Sequence, residues 1–140
     1  MFSGKTRASA DIVEQQVRNV ASDDREARHG MIALRQEAID MKEAILKGDM
    51  RNIGTAMNRG WLAKQSTASG VSTSHIDAVI DAAFACGAYA GRVSGAGGGG
   101  FILFLADPQQ RREVVRVLTD LRWLIFSCHF TAHGVESWRW

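Results

Sequence analysis

The sequence has little of several features that would point to particular classes of protein. Its 140 residues include one proline and two cysteines, Cys86 and Cys128, with no C-x-x-C pair. Both cysteines lie in apolar stretches, so we expect small buried hydrophobic residues in a reducing compartment. No apolar run is long enough to span a bilayer, and no signal sequence follows Met1. We therefore expect a cytoplasmic location and no membrane partner.

The charged residues also lack any concentration of one sign. The 17 basic and 15 acidic side chains give a net charge of +2 and are spread along the chain without a dense basic block. Nucleic-acid binding normally needs a clustered basic face, so no nucleic-acid partner is expected. With 46% hydrophobic and 23% charged residues, the composition is typical of one globular domain covering residues 1–140.

Apolar residues at helical spacing predict a series of helices. The first runs from about Thr6 to Val20, capped by Thr6 or Ser9, and the second runs from a capping box at Asp23 and Glu26 to Lys47. Three more begin at Asp49, at Ser72 to Ser74, and at Asp107-Pro108. The predicted buried faces, in helix order, are Val13, Val17 and Val20; Met31, Leu34, Ala38, Met41 and Ile45; Ile53, Met57 and Trp61; Ile76, Val79, Ile80, Ala83 and Phe84; and Val114, Val117, Leu118 and Leu121.

Two strands flank a glycine-rich run, and a third is predicted near the end of the chain. The segments Tyr89 to Val93 and Phe101 to Ala106 adjoin the glycines, and Trp123 to Phe130 reads as the third strand. Helices set against a small antiparallel sheet make an α+β domain.

The glycine-rich run is the most informative stretch. Between Gly95 and Gly100, five of six residues are glycine and the other is Ala96. A flexible linker or a hairpin without a ligand also uses glycine, but the flanking residues are structured and a hairpin needs only two or three turn residues. The excess favours an anion-binding loop. It is neither a Rossmann fingerprint, because a strand follows, nor a Walker loop, because Phe101 replaces the lysine.

This stretch, from Ala88 to Phe101, resembles the third conserved motif of the GHMP kinases, the family of galactokinase, homoserine kinase and mevalonate kinase. It is most similar to the bacterial members that phosphorylate D-glycero-D-manno-heptose 7-phosphate. The opening Ser3 to Ser9 and the ending Phe130 to Trp138 are similar to the same kinases. The resemblance implies a ferredoxin-like C-terminal kinase domain.

The resemblance also implies a site. In the family the glycine loop lies near the phosphates being transferred, so Ser94, Gly95, Ala96, Gly97, Gly98 and Gly99 would line the phosphate and substrate site. Arg7 would contact a sugar phosphate, although ordinary surface charge explains Arg7, Lys5 and Arg92 equally well. ATP and Mg²⁺ are expected for the complete kinase. No catalytic residue is expected in this chain, and no cofactor is required by it alone.

The family binds ATP mainly through an N-terminal domain with a Pro-x-x-x-Gly-Leu-Gly-Ser-Ser type loop, which these residues lack. We therefore expect the C-terminal half of an ATP-dependent sugar kinase, present as a fragment, a split gene product or a remnant, and inactive without its N-terminal half. Its expected partner is that half or a second copy, met through exposed apolar surface. The alternative is a non-catalytic ligand-binding or oligomerisation module with the same fold.

Metal binding is not expected. His129 and His133 are four apart, but a strand followed by a turn would not place them on one face, and no third ligand has a recognised spacing. Asp77 and Asp81 are interpreted as the solvated side of their helix.

Overall fold

The structure is a computed structural model, which describes residues 1–2, 9–129 and 131–139. Within these residues the elements in chain order are α1 (Ser9–Ala21), α2 (Arg25–Leu46), α3 (Met50–Gln65), α4 (Ser74–Ala85), β1 (Ala88–Val93), β2 (Ile102–Ala106) and α5 (Pro108–Asp120). The five predicted helices, the two strands beside the glycines and the α+β class are therefore confirmed, while the predicted start of the first helix at Thr6 lies outside the described residues.

Side chains at the helix starts explain why the helices begin where they do. Asp49 accepts a 3.0 Å hydrogen bond from the N–H of Asn52 at the start of α3. Thr73 accepts one of 3.3 Å from the N–H of Ile76 at the start of α4. The predicted cap of α2 is wrong by one residue. Asp24 accepts a 2.8 Å bond from Ala27, whereas Asp23 takes a positive φ of 62° in the preceding turn. Each cap satisfies an amide that has no partner within its helix.

The sheet is small and antiparallel. β1 pairs with β2 so that Val93 lies opposite Ile102, and the register shifts between Ala88 and Ala90. Isolated bridges continue the sheet, because Phe2 pairs with Phe101 on one side and with Leu124 on the other. Across the sheet the order is therefore β1, β2, the Met1–Phe2 segment and Leu124. This order and the chain connectivity match the β-α-β-β-α-β arrangement of ferredoxin-like domains.

The prediction of a third strand over Trp123 to Phe130 is wrong except at Leu124, which forms the bridge to Phe2. Leu124 makes the only strand pairing in the described part of Trp123 to Phe130, and Phe130 itself lies outside the described residues. Among the described residues only Phe2 pairs with this segment, so the pairing amounts to a single bridge. Cys128 lies in this segment and is exposed, which corrects the expectation that it is buried.

Helix α3 lies against β1 at short range. A Cβ on Gly54 would lie 2.6 Å from the Tyr89 ring, so only glycine permits this approach without a shift. Asn58 then pairs with the open edge of β1. Its amide nitrogen donates to the carbonyl of Tyr89 at 2.8 Å, and its amide oxygen accepts from the N–H of Gly91 at 3.1 Å. These contacts fix α3 so that its last turn ends beside the glycine loop.

The core lies between the sheet and helices α4 and α5. Its fully buried large side chains include Ile12, Val71, Ile76, Val93, Ile102 and Leu118. Most of the predicted faces of α3, α4 and α5 are confirmed, while Phe84 and Leu121 are exposed.

Two predicted faces are wrong. The valines of α1 are exposed, Val17 by 63%, and the helix buries Ile12 instead. In α2 the buried residues are the small Ala27, Gly30 and Ala44, whereas Ile45 is 55% exposed. Gly30 shows the reason, since a Cβ there would lie 2.6 Å from the carbonyl oxygen of Ala63. Helices α2 and α3 approach through small residues, which leaves the large apolar ones at the sides.

Candidate functional site

The candidate site is the loop 94–100, which joins β1 to β2. Its backbone requires glycine, because φ is positive at Gly95 (85°), Gly97 (117°), Gly98 (73°), Gly99 (156°) and Gly100 (86°). Space is equally restrictive at Gly97, where a Cβ would lie 2.6 Å from the carbonyl oxygen of Val71. The loop is therefore held in one conformation by contacts with the rest of the chain, and is not a flexible linker.

Two loop amides are used within the chain. The N–H of Ser94 donates to the carbonyl of Phe101 at 2.8 Å, and the N–H of Gly98 donates to the carbonyl of Val71 at 2.8 Å. The other loop amides have no acceptor among the described residues, and they are those of Gly95, Ala96, Gly97, Gly99 and Gly100. Successive backbone N–H groups that no carbonyl engages can form a concave anion-binding nest.

A cavity of about 230 Å³ lies beside these amides. It is lined by backbone and small side chains, namely Ser9, Ser94, Gly95, Ala96, Gly97, Gly99, Gly100 and Phe101. Ser9 is the first described residue of α1 and brings that helix to the cavity. The sequence marked Ser9 only as a capping residue, so its place in the site was missed.

Two cations flank the loop on the side of α3. The Lys64 ammonium donates a short hydrogen bond to the carbonyl of Gly95, and Arg92 stands on β1 two residues before Ser94. Burial lowers the pKa of Lys64, and the positive charge of Arg92 lowers it further. Burial also lowers the pKa of Arg92. Nothing in the sequence singled out Lys64, because its position depends on how α3 packs against β1.

The remaining predicted residues do not gather at this loop. Arg7 and Lys5 lie outside the described residues, so their predicted contact with a sugar phosphate stays a prediction. Asp77 and Asp81 are exposed, as predicted. In residues 1–2, 9–129 and 131–139, no three histidine, cysteine or carboxylate side chains come close enough together to hold a metal ion. None of the helices described is both long and apolar enough to cross a membrane.

Comparison with known sequences identifies a family and similar proteins. The family described as "GHMP kinases C terminal" matches residues 41–121. The chain is 32% identical over 138 residues to the D-glycero-alpha-D-manno-heptose 7-phosphate kinase of Campylobacter jejuni, covering 99% of this chain and 40% of that protein. It is 26% identical over 122 residues to the L-fucokinase/L-fucose-1-P guanylyltransferase of Bacteroides fragilis, covering 85% of this chain and 12% of that protein. The chain thus spans well under half the length of both relatives.

Solved structures share the fold. Mevalonate kinase of L. major, in complex with R-mevalonate, superposes with a TM-score of 0.75 at 21% identity, over 85% of this chain and 36% of that one. The Lin0012 protein of Listeria innocua gives a TM-score of 0.74 at 20% identity, over 86% and 35%. At these identities the likeness concerns the fold alone.

Proposed function

Because this chain belongs to the C-terminal domain family of the GHMP kinases, we propose that it is the C-terminal half of an ATP-dependent sugar kinase. The complete kinase would transfer the γ-phosphate of ATP to a hydroxyl of a sugar phosphate. A heptose phosphate is the proposed acceptor, because the Campylobacter jejuni relative carries the name of a heptose 7-phosphate kinase. The Bacteroides fragilis relative also has a sugar-kinase name, with a different sugar.

The observation that carries this proposal is the set of unpaired amides around the loop cavity. Phosphoryl transfer needs aligned phosphates and neutralised charge more than it needs covalent chemistry by the protein. The N–H groups of Gly95, Ala96, Gly97, Gly99 and Gly100 have no acceptor among the described residues, and the cavity lies beside them. Such fixed donors stabilise developing negative charge without reorganising during the reaction. This half would therefore hold and orient phosphate oxygens.

The residues at the loop do not fit a magnesium ion. Mg²⁺ takes oxygen ligands and is usually bound through one or two carboxylates together with substrate phosphates. The residues that line the cavity include no carboxylate. We therefore assign no metal ligand and no catalytic residue to this chain. In the complete kinase those groups, and most of the contacts to ATP, would come from the N-terminal half.

An exposed aromatic patch beside the loop is the proposed docking surface for that half. The ring of Phe101 lies 5.4 Å from that of Phe2 and 5.9 Å from that of Phe126, measured between centroids, and Phe101 is 53% exposed. Exposed apolar surface of this kind favours association. Because Phe101 also lines the loop cavity, a partner that covered this patch would close the cavity at the same time.

The first test follows ADP binding by NMR on the ¹⁵N-labelled chain. We expect ADP to shift the amide signals of the loop, and we expect Gly97→Val to abolish those shifts because its side chain would collide with Val71. Gly48→Ala is the matched control, since Gly48 also has a positive φ but nothing lies within 4 Å of its added Cβ. Loop amides that do not respond to ADP, inorganic phosphate or a sugar phosphate would refute the proposal.

The second test is complementation with a separately produced N-terminal half of the Campylobacter jejuni relative. We expect the mixture to form ADP in the presence of heptose 7-phosphate, and Phe126→Ser to reduce the rate by weakening the contact. Leu46→Ser is the control, because Leu46 is exposed at the far end of α2. If the loop binds phosphate but the aromatic patch drives only self-association, the alternative of a non-catalytic binding or oligomerisation module is favoured.

A further inference from the structure

Two basic side chains converge where α3 meets the glycine loop. Lys64 lies in the last turn of α3 and donates to the carbonyl of Gly95. Gly60 lies four residues earlier and therefore on the same face of the helix. The guanidinium of Arg92 adjoins that position, since its Nη1 would lie 3.6 Å from a Cβ on Gly60. One helix face thus brings both cations to the entry of the loop.

These cations are partly buried beside each other without an acidic partner. Among the ion pairs that the described residues form, none includes Lys64 or Arg92. The residues outside the description, 3–8, 130 and 140, contain no aspartate or glutamate. Glu37 also adjoins Gly60, but its carboxylate bonds Arg59 at 3.0 Å. Neighbouring like charges that are partly withdrawn from water are unfavourable unless an anion joins them.

An anion bound between these two cations would be distinct from one held by the loop amides. Neither Lys64 nor Arg92 lines the cavity beside those amides. Arg92 makes no hydrogen bond to another described residue, so its guanidinium is available to a ligand. Arg92 lies on β1, and the exposed Ser94 begins the loop two residues later. The site therefore adjoins the loop at its β1 end.

We propose that Lys64 and Arg92 bind the phosphate that the sugar acceptor already carries, next to the amides that hold the phosphate being transferred. This inference rests on the proposed function and names the residues that would recognise the phosphate of its acceptor. A guanidinium and an ammonium together suit a phosphate dianion, because the first binds two oxygens at once and the second adds a point charge. If Lys64 served only to hold the loop through the carbonyl of Gly95, it would not need Arg92 beside it.

Binding by the complete 140-residue chain tests the inference, with heptose 7-phosphate, the unphosphorylated heptose and ADP as probes. We expect Lys64→Gln and Arg92→Gln each to weaken heptose 7-phosphate binding by roughly tenfold or more, the size of one lost charged hydrogen bond. Arg92→Gln, which removes no hydrogen bond to the loop, should leave ADP binding unchanged. Lys47→Gln, at an exposed lysine beyond α2, should change neither. Arg92→Lys should lose less than Arg92→Gln because it keeps the charge.

The outcomes separate this inference from the proposed function. The inference would be overturned if the chain bound heptose and heptose 7-phosphate equally well, or if both glutamine variants bound heptose 7-phosphate as tightly as the wild type. In either case, ADP binding at the loop would still support the proposed function. A loss of ADP binding in the variants, with the sugar phosphate unaffected, would assign the two cations to the nucleotide and also overturn it. A wild-type chain that bound neither ADP nor heptose 7-phosphate would overturn both. Unfolding curves in urea show whether Lys64→Gln, which loses its bond to Gly95, is still folded.

Discussion

The N–H of Gly98 donates a 2.8 Å hydrogen bond to the carbonyl of Val71, which ties the middle of the glycine loop to the segment between α3 and α4. That segment is itself anchored at Thr67, which is fully buried. The side chain of Gln16 donates to the Thr67 hydroxyl at 2.7 Å, and that of Asn19 donates to its carbonyl at 3.0 Å. Helix α1 is thereby linked to the segment that holds the loop.

Gly97→Ala should destabilise the chain more than Gly95→Ala. Both residues have positive φ, so each alanine carries a strain of roughly 1–2 kcal/mol, but only the Cβ at Gly97 meets an atom, the carbonyl oxygen of Val71 at 2.6 Å. The free energies of unfolding from urea titrations measure the difference. Equal losses would mean that the contact with Val71 does not restrict the loop.

Alanine at two glycines of the helix interiors should have opposite effects. A Cβ on Gly30 would lie 2.6 Å from the carbonyl oxygen of Ala63, and we expect Gly30→Ala to cost about 1–3 kcal/mol by overpacking the α2–α3 contact. A Cβ on Gly60 makes only ordinary contacts, at 3.6 Å and beyond, so Gly60→Ala should gain about 0.5–1 kcal/mol through helix propensity. Urea unfolding of the two variants tests the sign, and two losses of the same size would contradict the packing described.

Asn58→Ala should cost about 1–3 kcal/mol, because it leaves both the carbonyl of Tyr89 and the N–H of Gly91 unpaired in a partly buried position. Asn52→Ala is the control, since Asn52 is an exposed asparagine in the first turns of the same helix and should lose less. Thermal and urea unfolding provide the measurement. A loss at Asn58 no larger than at Asn52 would show that solvent already satisfies the edge of β1.

The stability contributed by Lys64 should depend on pH. Its folded-state pKa is lowered from 10.5 by burial and by Arg92, so the unfolded chain binds this proton more tightly than the folded chain does. Stability from this group therefore rises as the pH increases through the folded pKa toward 10.5. Relative to Lys64→Gln, the wild type should become more stable in urea titrations from pH 8 to pH 10, and a constant difference would refute the expected shift.

Some elements could be predicted from the sequence and others could not, and the difference has a physical reason. Strand β1, the glycine loop, strand β2 and the Pro108 start of α5 follow from local features, since backbone freedom, capping and apolar runs act over a few residues. The buried faces of α1 and α2 did not follow, because the spacing of apolar residues identifies a helix without saying which face its neighbours cover. Thr67 illustrates the same limit: it stands in a stretch that reads as a polar loop, yet its side chain is buried and paired.

The sequence by itself determined that six residues rich in glycine join two apolar strands in an α+β chain, and this was sufficient to place it near the GHMP kinases. Only the tertiary structure decided which amides of that loop donate to other described residues of the chain and which do not. It also decided that Lys64, 31 residues before Gly95, reaches the loop. Such contacts depend on how α3 lies against β1, and that packing joins residues far apart in the chain, beyond the reach of any local pattern.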